Sequence, residues 1–379
     1  MSFKYRGPLF PQEAPHSRAN PLFHGRQREL YTLIEACQGY KTSYYVVYGG
    51  RQSGKTSLLL HLHHRLRQLA YEEEEDSKIF PCWADFQHFP GTSLQDVCLF
   101  LATQILKSVP GLGGCEVPRT FGQGGPLFDD WLCDIPLKGR RVVLLLEELA
   151  TLPQETRQAL GNILRAMFTS DTQRISLVLF GGIELLSMAS QEVSSLLNVC
   201  EKIHLSDLSL DASRSVLAGG LGLDSDQSEG VEEFATMSAA IYGQVAGHPY
   251  LTQCLGERVL EYWQKAHRFP LEPAVGNLSC QLLKDDRHFN DLHNAIQQYG
   301  LLEDCQRLLN HPPHSGHDPA MVRLNLLGVA KRAGDEWTVR NHLLECALKT
   351  WLAEMGESEL ASQEAITKKN TMSTEGGVT

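Results

Sequence analysis

Residues Gly49-Gly50-Arg51-Gln52-Ser53-Gly54-Lys55-Thr56 complete a G-x-x-x-x-G-K-[ST] string, and a chain that carries one has few folds open to it. Upstream, Tyr44-Tyr45-Val46-Val47-Tyr48 reads as a short buried strand by length and β-propensity. Downstream, Thr56-Ser57-Leu58-Leu59-Leu60-His61-Leu62 opens a helical pattern. A strand that turns sharply into a helix gathers backbone N–H groups and the positive helix end at one point, which suits a phosphate anion. Gly49 through Ser57 are expected to line that cradle, Lys55 to neutralise the β- and γ-phosphates of ATP, and Thr56 Oγ to ligate Mg²⁺. The bland alternative, a glycine-rich turn with an incidental lysine, accounts for neither flank.

Such a loop needs a carboxylate at the end of a neighbouring strand. Arg141-Val142-Val143-Leu144-Leu145-Leu146 is an unmistakable strand, and it ends in Glu147-Glu148. In the usual pattern the strand ends in Asp, which holds the metal, followed by Glu, which acts as general base. Here the first acid is one methylene longer, so Glu147 is expected to serve the metal with altered geometry and Glu148 to polarise the attacking water. A pair of exposed strand-end acids is the alternative. A further strand ends Leu179-Phe180-Gly181-Gly182, where many P-loop ATPases place a polar side chain that senses the γ-phosphate; Gly182 cannot do so, and slow hydrolysis is expected.

Strands alternate with helices along the first half. Helical spacing covers Gln27 to Cys37, Thr56 to about Leu69 and Gln154 to Phe168, and Ser93 is the expected N-cap of another helix. Strands are expected at 79–86, where Pro81 implies a sheet edge or a bulge, at Ile175 to Phe180 and at Lys202 to Leu205. This alternation implies an α/β fold with a mostly parallel sheet covered on both faces. From Ser206 helices dominate, over Asp211 to Ala218, Val231 to Val245 and Pro249 to Ala266. Helices at Leu302 to Leu309 and Ala320 to Ala333, a turn at 334–336 and a strand at Trp337 to Arg340 follow, the order of a winged helix-turn-helix. The expected divisions are an extended arm at 1–20, a P-loop ATPase domain at 21–206, a helical lid at 207–270, a winged-helix-like domain at 271–355 and a disordered tail at 356–379.

Four segments give this chain its resemblance to the STAND class of AAA-like P-loop ATPases, in particular the bacterial ATP-binding members. Leu22-Phe23-His24-Gly25-Arg26-Gln27-Arg28-Glu29-Leu30 looks like the h-h-G-R-E-x-E segment ahead of the phosphate loop, departing at Gln27 where the family usually has Glu. The phosphate loop and the Val142–Glu148 strand are the second and third. Gly247-His248-Pro249-Tyr250-Leu251-Thr252-Gln253 is similar to the G-x-P motif that opens a helix of the lid; read without the others it is only a helix start with proline in the first turn. The resemblance spans about residues 21 to 350. It implies ATP or ADP held between the sheet domain and the helical lid, with Phe23, Gly25 and Arg26 bordering the adenine and Pro249 closing over it. It also implies that Arg340-Asn341-His342 falls where a winged helix can touch the phosphates, a structural role being equally open. A STAND ATPase is a molecular switch. No repeat array or effector domain accompanies it in this sequence, so input and output are expected from partner proteins or self-association.

Composition narrows the rivals. A net charge of −11 opposes a general nucleic-acid or anionic-membrane role, since both need a concentrated positive field. From Glu272 to Leu352 ten acidic residues face eight basic ones, so DNA contact through Arg323, Lys331 and Arg332 is not favoured. There is no run of eighteen apolar residues and no apolar signal core at Met1–Pro8, so a cytoplasmic protein is expected. Ten cysteines scattered without a C-x-x-C pair read as reduced core side chains. His61, His63 and His64, and His311, His314 and His317, lack convincing metal-site spacing. The leading reading is an ATP-dependent switch. A nucleotide-gated scaffold without hydrolysis and a DNA-loading ATPase are the alternatives.

Overall fold

This computed structural model describes residues 23–39, 42–72, 79–112, 114–122, 125–169, 174–182, 185, 196–223, 232–314 and 318–354. The expected arm at 1–20 and tail at 356–379 lie outside the described residues, as does His317. Those described fall into two compact units, one within Met1–Ser228 plus Gly247–Gln253, the other within Glu229–Ala246 plus Cys254–Thr379.

The first unit is built on a five-stranded sheet. Its elements in order are α1 (Gln27–Gln38), β1 (Tyr44–Tyr48), α2 (Lys55–Glu72), β2 (Ile79–Asp85), α3 (Leu94–Ser108), α4 (Phe128–Asp134), β3 (Arg141–Glu147), α5 (Gln154–Thr169), β4 (Ile175–Gly181), β5 (Glu201–His204) and α6 (Leu210–Leu221). The strands lie in the order β2-β3-β4-β1-β5 and every pairing is parallel. Alternation along each strand splits the core in two. Tyr44, Val46, Val142, Leu144, Leu146, Leu177 and Leu179 face one layer with α3, α4 and α5. Tyr45, Val47, Val143, Leu145, Val178 and Phe180 face the other, with α1 and α2. A run of apolar residues with no polar alternation is therefore what a strand buried on both faces has to show. Pro81 sits in β2 at the sheet edge, where a missing N–H is tolerated. Ser93 caps α3 as expected, accepting from Asp96 N at 3.2 Å while Asp96 Oδ2 accepts from Ser93 N at 3.1 Å.

The second unit is helical with one hairpin. It holds α7 (Glu232–Val245), α8 (Pro249–Ala266) beyond its first turn, α9 (Glu272–Asp285), α10 (Arg287–Gln298), α11 (Leu302–Asn310), α12 (Pro319–Leu327), β6 (Ala330–Ala333), β7 (Glu336–Val339) and a closing helix α13 (342–354). The expected helix over Ala320 to Ala333 is in fact two elements. Gly328 takes φ +90° and ends α12, the Val329 N–H returns to Leu324 O at 2.8 Å, and 330–333 become the first strand of the antiparallel hairpin. Helices, hairpin and closing helix keep the winged-helix order. Arg332 stacks its guanidinium 5.0 Å over the Trp337 ring, and Arg340 is 5% exposed with its N–H on Val329 O. Asn341 Oδ1 accepts from Leu344 N at 2.9 Å and so starts α13. Arg340 and Asn341 thus have structural work inside their own unit.

Candidate functional site

The turn between β1 and α2 is tight and largely buried. Its Ser53 N–H returns to Gly50 O at 3.2 Å, Gln52 and Gly54 take φ +58° and +90°, and a Cβ on Gly49 would stand 2.8 Å from Ser53 Oγ. At Gly54 the space is different: nothing lies within 4 Å of where a Cβ would be. Lys55 folds back over the loop, its Nζ donating to Gly49 O at 3.2 Å and Gly50 O at 3.0 Å. Ser53 Oγ and Gln52 Oε1 are buried without a hydrogen-bond partner, and Ser53 is wholly inaccessible. A glycine-rich turn that brings its N–H groups to the positive end of α2 fits a polyanionic group; of the two unmatched atoms only the Ser53 hydroxyl can donate, the Gln52 amide oxygen being an acceptor. Arg51 is exposed at the loop tip, and Thr56 and Ser57 occupy the first turn of α2.

The expected acids meet this loop. Thr56 Oγ1 donates to Glu147 Oε1 at 2.5 Å. A hydroxyl and a carboxylate that close can share one small hard cation, and Mg²⁺ habitually takes only one or two protein oxygens besides phosphates and water. The donor set therefore fits Mg²⁺ beside a nucleotide. Among the described residues no group of three or more His, Cys, Asp or Glu is arranged for a metal. Glu147 is 6% exposed, and burial holds its carboxyl above the usual carboxylate range; the Thr56 hydrogen bond opposes this, the Asp85 and Glu148 charges add to it, and Lys55 opposes it. Glu148 follows in left-handed backbone, φ 56° and ψ 38°, its N–H on Phe180 O at 3.3 Å and its carbonyl accepting from Thr151 Oγ1 at 2.8 Å. A glutamate in that region of backbone space is strained, and such strain concentrates at functional positions.

Strand order sets the span between the first acid and the phosphate loop. β4 lies between β3 and β1, so a side chain on β3 must reach across two inter-strand steps, about 9–10 Å, to a residue that follows β1. Glu147 is opposite Phe180 in register, Val178 and Phe180 share its face, and the next position on that face is Gly182. A longer arm and a bare neighbour go together.

Asp85 was not among the expected site residues. It ends β2 opposite Glu147, accepts from Gln87 N at 2.8 Å, and its charge acts on Glu147. The signal was a lone acid closing an apolar strand, Cys82-Trp83-Ala84-Asp85, at the same height as the Glu pair; only the pairing register gives that height.

The segment ahead of α1 packs beside the loop. Phe23 stacks on His61 of α2 with ring centroids 3.8 Å apart and planes 15° from parallel. A Cβ on Gly25 would stand 2.6 Å from Ala212 Cβ. Arg26, 4% exposed, donates through Nη2 to Ser53 O at 3.2 Å and to Ser206 O, and its Nη1 is 3.7 Å from Glu29 Oε1. Pro249 begins α8 as a buried residue, after Gly247 at φ +77°, where a Cβ would stand 2.0 Å from Leu208 O; the Gly247 carbonyl accepts from Leu208 N at 2.8 Å. Of the histidines on α2, burial first and then the Arg67 and His64 charges lower His63 to about 4, and it faces Trp83 rather than a ligand set. Six cysteines are buried and none of the ten forms a disulfide. No described helix is long and apolar enough to cross a membrane.

Across nearly its whole length the chain is similar in structure to a Walker-type ATPase of Pyrococcus abyssi, with TM-score 0.61 and 14% identity over 90% of this chain and 99% of that one. Weaker likenesses include the ADP form of the Aeropyrum pernix ORC2 protein, with TM-score 0.49 and 15% identity over 89% and 97%. Drosophila ORC bound to DNA gives 0.48 and 13% over 92% and 77%. No family model and no curated relative matches the sequence. The first of these likenesses shows the P-loop ATPase fold that the strand order and the loop already describe.

Proposed function

We propose that this chain is an ATP-binding, slowly hydrolysing molecular switch of the STAND type. The observation that carries the reading is the 2.5 Å bond between Thr56 of the phosphate loop and Glu147 at the end of β3, because it joins the anion cradle to the acid edge. Lys55 exchanges its two loop carbonyls for β- and γ-phosphate oxygens, and the N–H groups of Gly49 to Ser57 hold the remainder. Glu147 and Thr56 supply the protein's oxygens to Mg²⁺, which when bound offsets charge on the phosphates. Glu148 accepts a proton from the attacking water. Phe23, Gly25 and Pro249 form the wall on the nucleoside side, and Arg26 stands behind it with its guanidinium on Ser53 O and Ser206 O. ADP or ATP then selects between two arrangements that partner proteins or a second copy read, in a cytoplasmic setting.

Glu148→Gln tests the chemistry. Calorimetry is expected to show ATP binding unchanged while phosphate release falls about 100-fold; an unaltered rate rejects the assigned base, and a natural chain that binds no ATP rejects the whole reading. A second reading, a nucleotide-gated scaffold without turnover, is favoured by Gly182 and by the long Glu147 arm. Phosphate release that stays at background with partners present selects it.

A further inference from the structure

Arg26 is an unusual residue to bury, and besides the Glu29 carboxylate 3.7 Å from Nη1 it holds two backbone carbonyls. A guanidinium taken out of water needs full compensation, and here one nitrogen, Nη2, supplies both of its hydrogens to carbonyls 153 residues apart in sequence, Ser53 and Ser206. The peptide plane makes the first contact consequential. In a trans peptide the carbonyl and the following N–H point opposite ways, so holding Ser53 O toward Arg26 aims the Gly54 N–H away from it, as a donor to a phosphate. The second contact leads elsewhere. Ser206 follows Leu205, whose N–H pairs with Tyr48 O at 2.8 Å, and precedes Leu208, whose N–H pairs with Gly247 O at 2.8 Å. A Cβ at 247 would stand 2.0 Å from Leu208 O, so these two backbones touch without slack.

We infer that Arg26 is a positioning residue that couples the phosphate loop to the Ser206–Leu208 segment and, through Leu208, to Gly247-His248-Pro249. It acts through Ser53 O and Ser206 O and does not touch nucleotide. This rests on the nucleotide-binding reading above and gives it a route: anchoring of the Ser53–Gly54 peptide by phosphate fixes the guanidinium, which fixes Ser206 and with it the Leu208–Gly247 bond.

Hydrogen exchange on the full-length chain, with and without ATP and Mg²⁺, tests the coupling. In the natural protein nucleotide is expected to slow exchange at 49–58 and also at 205–213 and 247–253. In Arg26→Met, ATP affinity should fall about tenfold; at saturating ATP the slowing at 49–58 should return while that at 247–253 does not. A purely structural role would instead raise exchange at 247–253 equally with and without ATP and leave the nucleotide-dependent difference intact, which overturns the inference. So does a natural chain whose protection stops at residue 58. Should Arg26→Met fail to fold by circular dichroism, Arg26→Lys replaces it, an ammonium on a shorter stem in place of the fork, with the same two outcomes deciding. Absence of slowing at 49–58 in the natural chain counts against nucleotide binding itself and is thereby separate from failure of the coupling.

Discussion

Two helices begin within the first unit in the same way and serve different ends. Both α2 and α8 start just after a glycine with positive φ, Gly54 at +90° and Gly247 at +77°. Around Gly54 a side chain would meet nothing within 4 Å, and the neighbouring Ser53 and Gln52 leave buried oxygens without partners. Around Gly247 a side chain would run into Leu208 O at 2.0 Å, and the carbonyl is already paired. One helix start is open and the other is a closed joint. A glycine before a helix therefore marks a close approach, and only the surroundings tell whether a ligand or the chain itself comes close.

Lys55→Ala should produce the largest change, a loss of ATP affinity of about 100-fold or more, since two charge-assisted contacts disappear; normal affinity in calorimetry would deny that the first start is a cradle. Next, Gly247→Ala should lower unfolding free energy by about 3 kcal/mol in urea titrations, combining steric overlap with backbone strain. Gly54→Ala should lose only the backbone part, about 1 kcal/mol. Equal losses at the two glycines would erase the distinction between them. Phe23→Leu, on the wall beside the cradle, should cost about 1 kcal/mol through the lost His61 stack, and an unchanged denaturation midpoint would show that the contact contributes nothing. Glu147→Gln sharpens the charged side in a smaller way. Because burial raises the Glu147 pKa, its folded form is favoured at low pH and loses stability as pH rises through the shifted value. The Gln variant is then expected to be more stable than the natural chain at pH 7, with the advantage shrinking as pH falls through the raised pKa and gone by the ordinary value of 4.5. A pH-independent difference would contradict the assignment.

Much of this was legible before any coordinates. Local signals carried it: the apolar run of β1, the Ser93 cap, the Gly-Lys-Thr turn and the doubly buried β3 all depend on residues within a few positions of one another. The boundary at Gly328 was missed because Ala320–Leu327 and Ala330–Ala333 join into one helical pattern unless the glycine is given its stopping role. Asp85 and the span of Glu147 lay beyond reach for a different reason. Both follow from β3 pairing with β2 and from β4 separating it from β1, and no short window of sequence contains a strand order. The guanidinium of Arg26, which sequence resemblance assigned to the adenine, is directed by two carbonyls whose proximity is equally a product of the whole fold.

Glu147 also constrains what this chain can become. Shortening 147 to aspartate would withdraw the carboxylate from Thr56, because β4 separates β3 from the strand that leads into the phosphate loop.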